Sequence, residues 1–511
     1  MKPRNHPIRM RLGLLLLALV LTAGTLFGCN GGKTPEPATD PGTEPTTTTP
    51  GTNAPDLDEQ TRYAPEKKSW GTGTYRIYMD GNESETFFAF SELVDNDAIN
   101  TALYKRAALM EEYFGVTVSL TKDEKLAETI LLYGNTNEDY ADIVLLGAAS
   151  LMTSAVPQGC LMDLTKVSGL NLDASYWDQR IQSEYNINGS LYMLEGDFSV
   201  YDELRTMTIL YNADRYREKV QQKYDTPYAL VRDGKWTYDT MMEMLKDTSE
   251  DLNGDGQMVP AEDLYGLYSE CAGPYVFFLG SGVKTANVTD GNISLLYSEN
   301  YSRIYNIFEK TVALCQDPDT ILVDRYGGIG YMAANDNFRA GNVLFRSTTL
   351  SSATSYREMT SDFGILPIPK YTEEQDGYYC WVSAASSLPL AIPYSAKVHV
   401  EATAALTEAF CYFSRYNPFG ELTLYEAFFD RMAYSKLCRT PDDRAMLEIV
   451  IQSKTFDIDS AAGLTNIYRS VWDLCAAGNA TALSSTLDGL KEGAIGRLST
   501  YLATWRSNYR E

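Results

Sequence analysis

The chain has 511 residues, with 43 Lys and Arg against 68 Asp and Glu, a formal net charge of −25 and two histidines. So acidic a balance argues against nucleic acid, phosphate backbones and anionic lipid as partners and favours a neutral ligand, although a local basic pocket can still hold an anion. Hydrophobic residues make up 44% of the sequence, enough for globular folding, and a single core stops growing near ~250–300 residues, so two lobes are expected.

Lys2, Arg4, Arg9 and Arg11 precede an apolar run, Leu12 to Ala23, and the segment closes on Leu26-Phe27-Gly28-Cys29. A basic start, a short apolar stretch and small residues at a cut describe a secretory signal over residues 1–28. The run is too short to span a bilayer, which takes roughly 20 apolar residues. Its Leu-x-Gly-Cys ending resembles a bacterial lipobox, in which Cys29 takes lipid and anchors the mature chain at the extracellular face of the cytoplasmic membrane. Phe27 departs from the small residue usual there, and ordinary secretion with Cys29 incidental is the alternative. Loss of residues 1–28 removes four basic and no acidic residues, so −25 becomes −29. Residues 29–62 are rich in Thr, Pro and Gly and have too few apolar side chains to offset ordering entropy, which predicts a disordered, extended tether.

His399 is then the one histidine left. That rules out a multi-histidine metal centre and makes any Ser-His-Asp or Cys-His arrangement depend on this residue. Hydrolysis by paired carboxylates needs no histidine. Walker-type loops, paired zinc motifs and Gly-x-Ser-x-Gly are absent from the sequence. The seven cysteines beyond Cys29 include no Cys-x-x-Cys pair and read as small buried hydrophobes.

The body opens with a strand at Tyr75 to Met79. A helix follows from Asp97 to Phe114, with Leu103, Ala107, Met110 and Phe114 on one face. Gly115 to Leu120 reads as a strand, Leu126 to Tyr133 as a helix, and Ala141 to Leu146 as a buried parallel strand. Met207 to Tyr211 is a strand, Asp214 to Tyr224 a helix, and Thr237 caps another through Leu245. Val343 to Phe345 and Phe363 to Leu366 are strands, and the chain from Ala402 is mostly helical, ending with Leu483 to Trp505. Strands alternating with helices predict an α/β fold.

The sharpest motif is Asp251-Leu252-Asn253-Gly254-Asp255-Gly256-Gln257, closed by Glu262. It fits the EF-hand loop at every defined position. Asp251, Asn253, Asp255, the Gln257 carbonyl and both oxygens of Glu262 can surround one calcium ion, which would clamp the loop and do no chemistry. An acidic turn without an ion is the competing reading. Asp263 replaces Glu262 as ligand if Pro260 alters the path.

Several phrases in order resemble bacterial extracellular solute-binding proteins of the sugar-binding, maltose-binding type: Tyr140-Ala141-Asp142-Ile143-Val144, Ser190-Leu191-Tyr192, Leu210-Tyr211-Asn212, Lys235-Trp236-Thr237-Tyr238 and Asp362-Phe363-Gly364-Ile365-Leu366-Pro367. The resemblance implies a two-lobed periplasmic-binding-protein-like fold (type II), each lobe a sheet flanked by helices. One lobe would hold residues 63–198 and 367–416 and the other 199–362 and 417–511, with crossings near Gly196-Asp197-Phe198 and Phe363-Gly364-Ile365. It also implies a monomeric, non-enzymatic protein that captures a mono- or oligosaccharide in the interlobe cleft for ABC permease subunits. A surface glycan-active enzyme with paired carboxylates and a non-transport sensor or adhesion lipoprotein are the alternatives.

Sugars are recognised by aromatic faces and by polar groups on their hydroxyls. Trp177, Tyr275, Trp381 and Tyr468 are the candidate platforms, with core packing as the competing reading. Ser150, Thr349 and Ser351 follow strand ends, where open sheets bind ligands. Asp197 lies at a crossing. Structural capping is the competing reading for these four.

Overall fold

The computed structural model describes residues 57–70, 73–83, 97–260, 262–323 and 331–510. The expected signal segment, Cys29 and most of the expected tether lie outside these residues. Leu57–Arg62, read from the sequence as the end of the tether, is a helix. Its Glu59 is buried and accepts hydrogen bonds from the Tyr416 hydroxyl at 2.7 Å and from Ser175. One buried carboxylate with three-dimensional partners overrides the local composition.

The strands among the described residues are, in chain order, β1 (Gly73–Asp80), β2 (Val116–Asp123), β3 (Ile143–Leu145), β4 (Met207–Asn212), β5 (Tyr265–Tyr268), β6 (Ala286–Thr289), β7 (Asn292–Leu295), β8 (Ile321–Leu322), β9 (Val343–Thr349), β10 (Phe363–Leu366), β11 (Cys380–Trp381), β12 (Leu390–Ala391) and β13 (Lys454–Thr455). The first lobe is built on the sheet β12-β3-β1-β2, in which β1 runs parallel to β2 and β3 and β12 runs antiparallel to β3. Strand side chains alternate between faces, so this sheet feeds two cores. Tyr75, Ile77, Met79, Ile143, Leu145 and Leu390 enter one, and Val144, Leu146 and Ala391 the other.

The second lobe is built on β10-β4-β9-β5-β8. Here β5 is parallel to β8 and β9, while β4 is antiparallel to β9 and β10. The continuous apolar runs Ile209 to Tyr211 and Val343 to Phe345 are buried in a single core around this sheet. The fold is a two-lobed mixed α/β architecture with sheets flanked by helices.

The first lobe's helix Ala98–Phe114 starts where the Asp97 side chain accepts from the Asn100 N–H and stops at Gly115, whose φ of 65° glycine adopts without strain. Its Arg106 is buried, with the guanidinium 3.7 Å from the Phe410 ring centre and Nη1 donating to the Phe198 carbonyl at 2.6 Å.

Three segments pass between the lobes side by side. The first runs from Leu194, which bridges Leu390, to Thr206, which bridges Val382. The second returns through β11, and the third contains β13, which pairs with β11 in parallel. The return crossing expected at Phe363-Gly364-Ile365 is therefore corrected. Those residues form β10, a full strand of the second sheet with Ile365 and Leu366 wholly buried, and the chain crosses between β10 and β12.

Two further elements join the lobes. In the hairpin β6–β7, Ala286 and Ile293 enter a first-lobe core. The last helix, Leu483–Asn508, is about 39 Å long at 1.5 Å per residue. It begins in the second-lobe core with Leu483, Leu487 and Leu490 and ends in the first lobe, where Trp505 Nε1 donates to the Tyr192 hydroxyl at 2.8 Å. No helix among the described residues is long and apolar enough to cross a membrane.

Candidate functional site

The C-terminal strand ends of the two sheets converge on the first crossing. After β1 the chain turns at Gly81, and Glu83 forms an ion pair with Arg205 at 2.6 Å. Next to Arg205, the Thr206 carbonyl accepts from the Leu350 N–H just beyond β9 at 3.0 Å. This is the face on which an open α/β sheet presents ligand sites.

Three of the four aromatic candidates meet beyond the end of β5. Tyr275 comes from helix Gly273–Gly280, Trp381 from β11 and Tyr468 from helix Ile467–Ala477. The ring centres are 5.5 Å apart for Tyr275–Trp381, 5.1 Å for Tyr275–Tyr468 and 5.7 Å for Trp381–Tyr468. Tyr275 and Trp381 are buried and Tyr468 is half-buried. The Tyr275 hydroxyl donates to Asp457 at 2.7 Å, whereas Trp381 Nε1 has no acceptor among the described residues. In this arrangement the rings pack on each other, so a sugar face must displace one of them to stack.

Trp177 lies apart from this trio. It is buried in the first lobe beside Phe198, with Nε1 3.3 Å from Glu408. Ser150 ends the short helix Ala148–Ser150 after β3, where the Ala384 carbonyl already accepts from the Ala149 N–H. The Thr349 and Ser351 hydroxyls hydrogen-bond each other at 2.8 Å. Asp197 pairs with Arg415 at 3.2 Å. Burial raises the Asp197 pKa to about 6, with Arg415 opposing and Asp202 reinforcing the shift.

The acidic loop follows helix Tyr238–Thr248, which the Thr237 side chain caps, and leads into a strand rather than a second helix. Asp251 accepts from the N–H groups of Gly254 and Gly256, and Asp255 accepts from that of Gln257. Asn253 Nδ2 lies 3.1 Å from Glu262, so the third and twelfth loop positions are brought together. Gly254 and Gly256 have φ of 72° and 78°, which lets the turn close. Asp263 is instead buried and accepts from the N–H groups of Leu252 and Val259, so it tethers the loop from inside. Among the described residues no three His, Cys, Asp or Glu side chains already converge as a metal cluster. The oxygen-only donor set nonetheless suits a hard cation such as calcium.

The sequence reading missed the charges at the hinge. Lys454, on β13, is buried and meets Asp202, with Asp178 and Glu203 each 3.1 Å away; Arg180 pairs with Asp178 at 2.5 Å. Burial favours the neutral amine, but Asp202, Glu203 and Asp178 outweigh it and raise the Lys454 pKa. Burial would also raise Asp178, yet Lys454 and Arg180 hold it well below the usual carboxylate range. A cavity of about 370 Å³ opens beside this cluster, lined by Trp177, Asp178, Asp197, Tyr425, Phe429 and Lys454 among others.

Neither protein-family models nor curated proteins match the sequence. Solved structures share the fold. A cyclo/maltodextrin-binding protein complexed with maltotetraose is 16% identical with a TM-score of 0.52, covering 84% of this chain and 97% of that one. The maltose/maltodextrin-binding domain MalE from Bdellovibrio bacteriovorus, bound to maltotriose, is 15% identical with a TM-score of 0.51, covering 83% and 99%. An ABC substrate-binding protein from Listeria monocytogenes in complex with cycloalternan is 12% identical with a TM-score of 0.51, covering 82% and 98%.

Proposed function

We propose that the protein is the ligand-capturing component of a carbohydrate importer, binding a neutral mono- or oligosaccharide between its lobes and delivering it to ABC permease subunits. The observation that carries this reading is the meeting of Tyr275, Trp381 and Tyr468 at the strand-end face of a two-lobed fold. Each comes from a different element; the rings cover one another until a ligand displaces one of them, and the Trp381 indole N–H has no acceptor among the described residues. Proteins of the same fold described in complex with maltotetraose, maltotriose and cycloalternan support the ligand class. The reading is of a binding protein, with Cys29 as its lipid anchor and the Asp251–Glu262 loop as a structural calcium site held by Asp251, Asn253, Asp255, Gln257 and Glu262.

The test is a thermal-shift screen of the mature chain against neutral sugars and maltodextrins, because a ligand that binds only the folded state stabilises it by RT ln(1 + [L]/Kd). Solution scattering should show a smaller radius of gyration at saturating sugar. No stabilisation by any sugar would remove the carbohydrate reading, and steady conversion of the bound sugar to products would replace binding by catalysis.

A further inference from the structure

The hinge buries more carboxyl groups than cations. Around Lys454 stand Asp178 from the first lobe and Asp202 and Glu203 from the helix Tyr201–Leu204, with Arg180 on Asp178. Glu195, fully buried on the same crossing, has neither oxygen hydrogen-bonded among the described residues. Four carboxyls therefore face two cations, and full ionisation leaves two uncompensated negative charges in the interior.

The neighbouring elements do not supply the missing charge. Arg415, from helix Val400–Arg415, is paired with Asp197 and lies 3.7 Å from the Tyr425 ring centre. Arg205 is turned to Glu83, and Arg106 to the Phe198 carbonyl and Ser414. Asp457, on the third crossing, accepts from Tyr275 and from the Ser460 N–H. Burial pushes the Tyr185 hydroxyl, the Cys411 thiol and the Tyr425 hydroxyl up, which keeps them neutral. Asp202 Oδ1 and Glu203 Oε2 have no donor among the described residues, although the other oxygen of each carboxyl meets the same Lys454 ammonium. Two buried carboxyls held against one ammonium cannot both stay ionised without mutual repulsion, which favours a proton on one of them.

We propose that Glu195 and the Asp202–Glu203 pair each hold a proton and form a proton-operated lock on the hinge. With both protons in place the four carboxyls and two cations are neutral, and Lys454 ties the first and third crossing segments to Asp178 of the first lobe. Loss of the protons leaves two buried negative charges beside the cavity, and the lobes part as water reaches them. Burial together with the Asp202 charge pushes both Glu195 and Glu203 well above the usual carboxylate range, which places proton loss on the alkaline side of ordinary carboxylates. For an acid whose folded pKa is raised, the stability it contributes is full at low pH and is lost as pH rises through the folded pKa.

The lock is independent of the carbohydrate reading, so its test is run without ligand. Thermal unfolding and solution scattering of the mature wild type and of E195Q/E203Q are compared at about pH 5.5 and pH 8, where ordinary surface carboxylates are already largely ionised. The wild type is expected to lose roughly 4 °C or more in unfolding midpoint at the higher pH and to gain in radius of gyration. The variant, whose amides stand in for protonated acids, should lose clearly less than the wild type in both, keeping only the response of groups such as Asp197, whose pKa of about 6 falls in the same window. Equal pH responses in the two proteins overturn the lock. Should the double variant fail to fold, Glu203→Gln alone carries the comparison. Infrared spectroscopy of the wild type then decides independently: a protonated-carboxyl absorption persisting at about pH 7 is expected, and its absence overturns the proposal.

Discussion

Trp381 combines a buried ring with an indole N–H that no described residue accepts. Trp381→Ala would remove a buried aromatic at a cost of about 3–5 kcal/mol and so confuse folding with binding. Trp381→Phe keeps most of the packing and deletes the donor. If that donor meets a sugar hydroxyl, the substitution should weaken sugar affinity about three- to tenfold, the worth of one hydrogen bond, while calorimetric unfolding changes little. Titration calorimetry with the best sugar from the screen measures this, and an unchanged Kd would assign Trp381 to packing alone. At this scale the sequence was legible where chemistry is local. Gly273-Pro274-Tyr275 and the aromatic run ending in Trp381 stand out by their neighbours. Lys454 does not, because it sits in Gln452-Ser453-Lys454-Thr455, which reads as surface, and its partner Asp202 lies 252 positions away.

The acidic loop Asp251–Glu262 is the element whose motif was plainest and whose surroundings differ from the usual. A helix precedes it, but a strand follows, so an ion here would fasten the entry to β5 rather than hold two helices at an angle. Calcium is expected to bind with Kd of roughly 10⁻⁴–10⁻³ M, the range of extracellular modules, and magnesium poorly, since it demands tight octahedral geometry. Calcium at 100-fold over Kd should stabilise the fold by about 2.7 kcal/mol, seen as a thermal shift that EDTA reverses and Glu262→Gln abolishes. A melting curve indifferent to both calcium and EDTA would return the loop to an acidic turn. The strands β1 to β4 were legible from β-branched and apolar runs, and the helix at 98–114 from its spacing. The C-terminal helix was recognised as a helix, but its passage from one core to the other was not, because both ends carry similar apolar spacing and nothing local says which core receives Trp505.

Length alone pointed to two lobes, and the alternating strands and helices to their class. How the crossings pair could not be read, since β11 and β13 are two residues each and join segments far apart in the chain. The proposed attachment to the membrane is tested on the whole molecule as well. Cys29→Ala is expected to shift the protein from the membrane to the soluble or unprocessed fraction, followed by fractionation and immunoblotting. Unchanged partitioning, with or without inhibition of signal peptidase II, would rule out the lipid anchor. A single acyl chain binds only marginally, so stable retention through Cys29 would require a diacyl modification.

The segment entering the body is fastened to the first lobe at several points. Glu59 is held by Ser175 and Tyr416, the Gln60 carbonyl accepts from the Tyr412 hydroxyl at 2.8 Å, Lys68 meets Glu401 at 2.6 Å, and the Trp70 N–H donates to the Phe114 carbonyl at 2.9 Å. If the lobes close on ligand as proposed, the first lobe would be the bracket and the second the moving jaw. Drag or tension transmitted along the chain from upstream of Leu57 is taken up by these fastenings before it can load the crossings. If Cys29 is the proposed anchor, the opening and shutting of the lobes should then proceed at the same rate in the anchored protein as in the released one.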